Sequence, residues 1–269
     1  MKIGFIGAGH MAQALIKGMV QSKAVRPEQI IVSNRTPGKL IKLQETFGVQ
    51  TRAQNEQVAE ECDVVILAMK PQDLSTAIVS VAGAFNEHQI VISLAAGIPF
   101  SILEKQISDG RLVRFMPNTP SIIGRGLLGF MCQVPDDYVS STMEDLFSSL
   151  GVVIEVETEE KLDALMISCS SGTGFVFEMM MYWQDWIAER GFTDEEARLM
   201  TIETFLGASM LAAQSEGVEI EELQSRVTSK KGVTSAGLNS MRELELERIL
   251  RVSFEKANMR SQEISRTTK

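Results

Sequence analysis

Apolar residues in the first 157 positions fall into short runs that alternate with stretches of helical periodicity. Several runs are apolar throughout, which is typical of parallel strands covered by helices on both faces. Seven runs predict strands, at Lys2–Ile6, Ile30–Ser33, Val64–Ala68, Ile90–Leu94, Leu112–Phe115, Leu127–Cys132 and Val152–Val156. Their alternation with helical segments predicts an α/β fold of the Rossmann-like, doubly wound type.

After about Glu159 the strand pattern stops, and helix-forming stretches rich in Met, Leu, Ala and Glu continue to the end. We predict a dinucleotide-binding domain over residues 1–160 and an all-helical substrate and dimerisation domain over residues 161–269. Only the change in periodicity marks this boundary, because no Pro- or Gly-rich linker is present. The run Met179–Trp183 is apolar on every side of a helix and must be buried. It predicts either intertwined helical domains in a homodimer or higher homo-oligomer, or one central helix buried within the chain.

Composition excludes several classes of function. A formal net charge of -9 argues against a duplex nucleic-acid binder, which needs a basic face. Three widely spaced cysteines and two histidines suggest no disulfide framework and no metal site. No uncharged apolar stretch reaches the roughly 18 to 20 residues of a membrane helix. We expect a soluble, cytoplasmic protein without a membrane partner.

A glycine-rich turn directly follows the first predicted strand. Gly7, Ala8, Gly9, His10, Met11 and Ala12 form a G-x-G-x-x-A sequence that leads into a helical pattern. The first two glycines allow a tight turn and close approach of backbone N–H groups to a pyrophosphate at the start of the helix. The turn therefore predicts a dinucleotide site, with His10 as a neutral residue that either supports the backbone or lies near the phosphates.

The end of the second predicted strand indicates which dinucleotide is bound. Folds selective for NAD usually have a carboxylate here for the ribose 2′-hydroxyl. This strand ends instead with Ser33, Asn34, Arg35 and Thr36. A guanidinium forms charge-assisted, two-pronged contacts with a phosphate, so we predict NADPH in preference to NADH. The alternative is that Arg35 is a solvated turn residue.

Three further loops follow predicted strands at the sheet edge where α/β folds bind ligands. They are Ala68-Met69-Lys70-Pro71-Gln72, Ala95-Ala96-Gly97, and Met116-Pro117-Asn118-Thr119-Pro120. Together with the first turn and the Ser33–Thr36 segment, they resemble the pyrroline-5-carboxylate reductase family over essentially the whole chain. The resemblance implies NADPH-dependent reduction of 1-pyrroline-5-carboxylate to L-proline, the last step of proline biosynthesis. It also implies cofactor contacts from Asn55, Ala68, Met69, Lys70, Pro71, Ala96 and Gly97.

The resemblance continues in the helical half, where the family has a serine-proline-glycine-glycine-x-threonine loop. It assigns Thr234 to the imine nitrogen as the catalytic residue. It assigns the imino acid carboxylate to the loop formed by Ser229, Gly232, Val233 and Thr234. A helix start offers free amides and a favourable dipole to such an anion. The alternative is that Ser229 and Thr234 only cap a helix.

Departures from the family pattern cluster around this presumed substrate pocket. The family's serine-glycine-serine-glycine-proline-alanine run reads Cys169-Ser170-Ser171-Gly172-Thr173-Gly174. Lys230 and Lys231 replace proline and glycine, Met181 replaces a glutamate, and Leu244-Glu245 stands where paired glycines are common. These changes leave two alternatives open: a reductase for another cyclic imine, or a silent regulatory paralogue that retains NADPH binding. A 3-hydroxyacid dehydrogenase with the same two-domain plan is a third, although no lysine motif supports it.

Overall fold

The computed structural model describes residues 1–267 and contains one eight-stranded sheet with the order β3-β2-β1-β4-β5-β6-β7-β8. The order of its first six strands is that of a doubly wound fold, which confirms the predicted fold class. The strands are β1 (Ile3–Ile6), β2 (Ile30–Ser33), β3 (Gln50–Arg52), β4 (Val64–Leu67), β5 (Ile90–Ser93), β6 (Arg111–Met116), β7 (Gly126–Cys132) and β8 (Gly151–Glu155).

Helices connect these strands and form the rest of the described chain. The sheet region contains α1 (His10–Gln21), α2 (Pro37–Phe47), α3 (Asn55–Glu61), α4 (Pro71–Val81), α5 (Phe100–Leu103) and α6 (Asp137–Phe147). A π-helical turn, Met166–Ser171, joins α7 (Glu159–Leu165) to α8 (Gly172–Ala188). The remaining helices are α9 (Asp194–Gln214), α10 (Ile220–Arg226), α11 (Val233–Glu243) and α12 (Leu246–Thr267).

The structure corrects the predicted sheet at two points. The short edge strand β3 was missed because its residues are polar and half-buried, whereas the prediction searched for apolar runs. The apolar runs were interpreted as typical of parallel strands, whereas β7 runs antiparallel to β6. The connection 117–125 is shorter than the dozen or more residues that a parallel crossover needs, so the chain must turn back here.

Burial on both faces of the sheet explains the continuous apolar runs. Ile3 and Phe5 of β1 belong to one buried cluster, and Ile6 belongs to the cluster on the opposite face. In β2, Val32 and Ile31 divide between the clusters in the same way. Alternate residues of one strand therefore point into different apolar layers, as expected for a sheet covered on both sides.

The described chain forms two compact units. The first comprises Met1–Ser171 together with the end of α12 from Ala257, and the second comprises Gly172–Lys256. The predicted domain boundary at residue 160 stays a prediction, and the last two residues of the predicted second domain, 268 and 269, lie outside the described residues. The last helix thus contributes residues to both units.

The second unit buries little of its apolar surface by itself. Gly172, Ile187, Ala197 and Thr201 are the only buried residues between 172 and 256. Within the predicted all-round apolar run, Met181, Tyr182 and Trp183 are 52%, 63% and 40% exposed. The alternative of a central helix buried within the chain is therefore wrong. Packing against another protein surface is the way in which such a helix can be buried in water.

The helical stretch Glu159–Ala188 is long and apolar enough, by length and composition alone, to cross a membrane. The sequence expectation missed it because only uncharged stretches were considered. Only 17% of its most apolar 18-residue window is buried. A helix that packs against a second protein copy has the same composition, so this observation by itself does not indicate a membrane.

Candidate active site

A cleft of about 750 Å³ lies at the carboxyl ends of β1, β2 and β4. Because these ends meet at one edge of a parallel sheet, loops that are distant in sequence line the same cleft. It contains ten of the predicted cofactor residues, namely Gly7, Ala8, Gly9, Asn34, Arg35, Thr36, Asn55, Ala68, Met69 and Lys70.

The turn after β1 is held by backbone contacts to its neighbouring strands. Gly7 has a φ of +108°, and a Cβ built there would lie 2.8 Å from the carbonyl oxygen of Ala68. The Gly7 N–H donates to the carbonyl of Ser33 at 2.8 Å. At the next helix start, Gly9 is the N-cap of α1, no side chain caps it, and its first turn contains no acidic residue. Such a helix start is suited to a pyrophosphate.

Side chains at the end of β2 form a local hydrogen-bond network. Asn34 accepts from the Ala8 N–H at 3.1 Å and donates to the Thr36 carbonyl at 3.1 Å. Ser33 is completely buried and donates to Asn55 Oδ1 at 2.8 Å. Ser33 was predicted as a cofactor contact. In the structure it does not line the cleft but orients Asn55, which does.

Cations in the cleft match the predicted preference for a 2′-phosphate. Arg35 lines the cleft together with Lys39 and Lys70, and within residues 1–267 none of these three side chains forms an ion pair. Sequence reasoning missed Lys39, which is the third residue of α2. Arg35 precedes the N-cap of this helix, so helical spacing could not have indicated that the two side chains line one cleft.

Further residues complete the cleft without having been predicted. They are Ile6, Ala53, Gln54, Glu56, Gln72, Asp73, Thr76, Ala77 and Ser80, in addition to Lys39. The last four follow the i, i+3, i+4, i+7 spacing of one face of α4, so helical periodicity carried a signal for them. The cleft size, the tight glycine turn, the uncapped α1 and the cations together fit a phosphorylated dinucleotide.

Five other predicted cofactor residues lie outside the lining of this cleft. His10 is exposed and lines a smaller cavity of about 290 Å³, and Met11 packs against the core. Pro71 is the first residue of α4. Gly97, which follows Ala96, has a φ of +72°, and a Cβ there would lie 2.8 Å from the carbonyl oxygen of Ser261. The loop after β5 is thus in contact with the end of α12.

The predicted substrate loop leads directly into α11. Gly232 is the N-cap of this helix, Thr234 is its second residue, and no side chain forms a cap hydrogen bond. The alternative that Ser229 or Thr234 caps the helix is therefore wrong. The Gly232 N–H donates to the Ser229 carbonyl at 3.0 Å, which closes the loop. Val233 is 93% exposed, so the first turn of α11 faces solvent in the single chain.

Other reactive groups in the described part of the chain offer no competing chemistry. Burial raises the pKa of the Cys62 and Cys132 thiols to about 12, so neither is a thiolate nucleophile at neutral pH. Cys169 is half-buried. Among residues 1–267 there is no cluster of three or more His, Cys, Asp or Glu side chains that could hold a metal ion.

Two protein-family models match the chain. A model described as NADP oxidoreductase coenzyme F420-dependent matches residues 2–97. A model described as pyrroline-5-carboxylate reductase dimerisation matches residues 159–264. The second match covers the helices whose apolar residues are exposed in the single chain, and it supports homo-oligomerisation through this region.

Comparison with known proteins gives matches over nearly the full length. The chain is 32% identical to a pyrroline-5-carboxylate reductase from Pseudomonas aeruginosa over 98% of this chain and 97% of the relative. Its fold matches a pyrroline-5-carboxylate reductase from Coxiella burnetii with a TM-score of 0.90, at 31% identity and 98% coverage of both chains. The NADP-bound pyrroline carboxylate reductase from Plasmodium falciparum, 21% identical over 98% of both chains, shares the fold with a TM-score of 0.88. The chain belongs to the pyrroline-5-carboxylate reductase family.

Proposed function

We propose that this protein reduces 1-pyrroline-5-carboxylate to L-proline with NADPH, as its relatives are named to do. The observation that carries this proposal is the start of α11, where Thr234 lies in a first turn that has neither a side-chain cap nor an acidic residue. Free N–H groups and the helix dipole would bind the carboxylate of a small imino acid. The Thr234 hydroxyl is available in the same turn for the ring nitrogen.

The proposed reaction requires that the protein position the imine and the cofactor, and it requires little acid–base catalysis. A cyclic imine that is already protonated on nitrogen accepts a hydride at the adjacent carbon, and the C=N bond becomes a C–N bond. NADPH, when bound, would supply this hydride and would be oxidised to NADP⁺. Thr234 would orient the nitrogen, while the amides of Val233 and Thr234 would hold the carboxylate. No histidine or cysteine nucleophile is required.

Residues of the cleft would hold the cofactor. The turn Gly7–Gly9 and the start of α1 would bind the pyrophosphate. Arg35 and Lys39 would bind the 2′-phosphate, which distinguishes NADPH from NADH. Ser33 would contribute indirectly by orienting Asn55. A contribution from Ala96 and Gly97 rests on the family resemblance alone.

We also propose that the working protein is a homodimer or a higher homo-oligomer in the cytoplasm. The match to a dimerisation model and the exposed apolar side chains of α8 support this proposal. Light scattering during gel filtration gives the mass directly, and a monomer at assay concentration would contradict it. The domain division at residue 160 is retained as part of the proposal.

The test is an assay of NADPH oxidation with 1-pyrroline-5-carboxylate. We expect turnover by the wild-type protein and a loss of about 100-fold in Thr234→Ala, because misplaced reactants react far more slowly. The affinity for NADPH should stay unchanged, because Thr234 does not line the cofactor cleft. Thr228→Ala is the matched control, since that hydroxyl donates to the carbonyl of Gln224 in α10 and Thr228 precedes the predicted substrate residues.

Two alternatives from the sequence are decided by the same assay. Tight NADPH binding without turnover of any imine would indicate a silent paralogue. Turnover of another cyclic imine with 1-pyrroline-5-carboxylate left unchanged would indicate a different reductase. The curated relatives favour neither alternative, since those in the comparison are named pyrroline-5-carboxylate reductases.

A further inference from the structure

Asn118 lies in the loop after β6, within the motif Met116–Pro120 to which the proposed function assigns no role. Its side chain is almost completely buried, at 6% exposure. Both ends of its amide are used: Oδ1 accepts from the Leu127 N–H at 2.9 Å, and Nδ2 donates to the Cys169 carbonyl at 3.2 Å. One side chain therefore connects this loop to β7 and to the π-helical turn.

The turn that Asn118 contacts has an unusual backbone. Residues Met166–Ser171 form a π-helical turn, a conformation that is rare and occurs frequently at functional sites. A second hydrogen bond supports it, because Ser170 Oγ donates to the Pro117 carbonyl at 3.2 Å. Two neighbouring residues of the loop after β6 thus bind two neighbouring residues of the turn.

The loop itself is fixed by further contacts. The Asn118 carbonyl accepts both from the Ser121 N–H and from the Ser121 hydroxyl, at 3.2 Å and 2.5 Å. Ser121 is completely buried. The Asn118 amide is therefore presented from a rigid support, and a hydrogen bond from a rigid donor costs little conformational entropy.

Arg114 of β6 holds the helix that precedes the turn. Its guanidinium is buried and binds Glu159 Oε1 at 2.8 Å and Asp163 Oδ1 at 2.9 Å. These carboxylates lie one turn apart on α7, so the contact fixes the rotation of that helix about its axis. The segment from β6 to Asn118 therefore contacts α7 through Arg114, and it contacts the π-helical turn through Pro117 and Asn118.

The turn lies at the boundary between the two units. It ends at Ser171, where the chain leaves the first unit, and α8 begins the second unit at Gly172. The family's glycine- and proline-containing run falls across this point, and here it has lost a proline and a glycine. Because proline restricts the backbone locally, its loss increases the importance of hydrogen bonds that reach the turn from elsewhere in the fold.

We propose that Asn118 is a positioning residue for hydride transfer, which acts through the Cys169 carbonyl by fixing the π-helical turn. This proposal rests on the proposed reductase function. The turn contains Cys169, Ser170 and Ser171, which belong to the run that the family resemblance places at the presumed substrate pocket. Displacements of about 1 Å between reacting groups can lower a rate by about 100-fold, so a loosened turn should slow the chemical step.

The informative variant is Asn118→Asp. It keeps an oxygen acceptor for the Leu127 N–H but replaces the donor that faces the Cys169 carbonyl with a second acceptor. We expect kcat to fall by about 10-fold or more, with the NADPH dissociation constant within about twofold of the wild-type value. The primary isotope effect with NADPH deuterated at the transferred hydrogen should rise, because hydride transfer becomes more rate-limiting.

A smaller change at the second contact provides an independent variant. Ser170→Ala removes the bond to the Pro117 carbonyl and should lower kcat by about threefold, with the same rise in isotope effect. Ser168→Ala is its matched control in the same turn, because that hydroxyl contacts the Leu165 carbonyl of α7 and the neighbouring Cys169 thiol and not the loop after β6. The control should keep wild-type kinetics.

Two results would overturn the proposal. One is wild-type kcat and isotope effect in both Asn118→Asp and Ser170→Ala. The other is a fall in kcat at unchanged isotope effect, which would mean that only the folded fraction had decreased. If Asn118→Asp does not fold, Ser170→Ala decides by the same criteria. A wild-type protein that does not reduce the imine would refute the proposed function instead. In that case, amide hydrogen exchange in the turn tests whether Asn118 fixes its geometry. We expect faster exchange in Asn118→Asp and Ser170→Ala than in Ser168→Ala, and exchange that is no faster would overturn the proposal.

Discussion

The loops before α1 and α11, both proposed to bind anions, lead into similar helix starts. They differ in the residue that adopts a positive φ. Each leads into a helix, α1 or α11, whose N-cap is glycine and whose first turn has no side-chain cap and no acidic residue. Each also contains a residue with positive φ, Gly7 at +108° in the first loop and Lys231 at +62° in the second. The residue type at that position is what distinguishes them.

The surroundings of Gly7 and Lys231 explain why the first position requires glycine and the second does not. Gly7 lies against the backbone of the chain after β4, where a Cβ would approach the Ala68 carbonyl oxygen to 2.8 Å. Lys231 is exposed, and its side chain extends into solvent. A left-handed conformation costs a non-glycine residue about 1–2 kcal/mol, which an exposed loop tolerates and a packed turn does not. Divergence from the family has therefore accumulated in the loop that has free space.

The largest expected effect comes from breaking the packed loop with Gly7→Ala. The added methyl group meets a backbone carbonyl and occupies a φ that L-residues rarely adopt, so the turn must shift. We expect NADPH to bind about 100-fold more weakly, equivalent to about 2.7 kcal/mol. Fluorescence titration with NADPH measures this change.

Gly83→Ala is the matched control for that variant. A Cβ at Gly83 has no neighbouring atom within 4 Å, and the φ of this residue is not positive. NADPH affinity should therefore stay at the wild-type value. Equal affinities in the two alanine variants would mean that the glycine turn does not hold the pyrophosphate.

An intermediate effect is expected from Arg35→Ala, which tests the phosphate selectivity of the first loop and its neighbours. Loss of a charge-assisted hydrogen bond of about 1.5–3 kcal/mol should weaken NADPH binding by about 10-fold or more. NADH binding should not change, because its ribose has no phosphate. Arg26→Ala is the control, since Arg26 bonds to the Gln29 side chain outside the cleft. An equal loss of affinity for NADPH and NADH would show that Arg35 does not bind the 2′-phosphate.

The smallest expected effect tests the exposed loop. Lys231→Gly removes left-handed strain of about 1–2 kcal/mol, and the greater flexibility of glycine in the unfolded chain offsets about 0.5–1 kcal/mol. The free energy of unfolding should rise by about 0.5 kcal/mol, as measured by urea denaturation at one fixed protein concentration. Lys230→Gly, where φ is not positive, should lower it instead. A decrease in both variants would argue against strain at Lys231.

Much of the fold could be predicted from the sequence because it depends on local patterns of residues. The apolar runs located seven of the eight strands, and the glycine turn indicated the cleft. The polar strand Gln50–Arg52 gave no such pattern, because an edge strand is held mainly by backbone hydrogen bonds. The position of Ser33 in the sequence likewise did not reveal that its hydroxyl donates to Asn55.

The amino-acid sequence alone determined the fold class, the glycine turn after β1 and the basic character of its neighbourhood. Steric limits on glycine and the period of apolar residues act within a few positions, so they can be read without coordinates. Only the tertiary structure decided that Lys39 joins Arg35 in the cleft and that Asn118 holds the carbonyl of Cys169. Such contacts depend on which backbone and side-chain groups the folded sheet brings opposite each other, and 51 residues separate the two partners of that last bond.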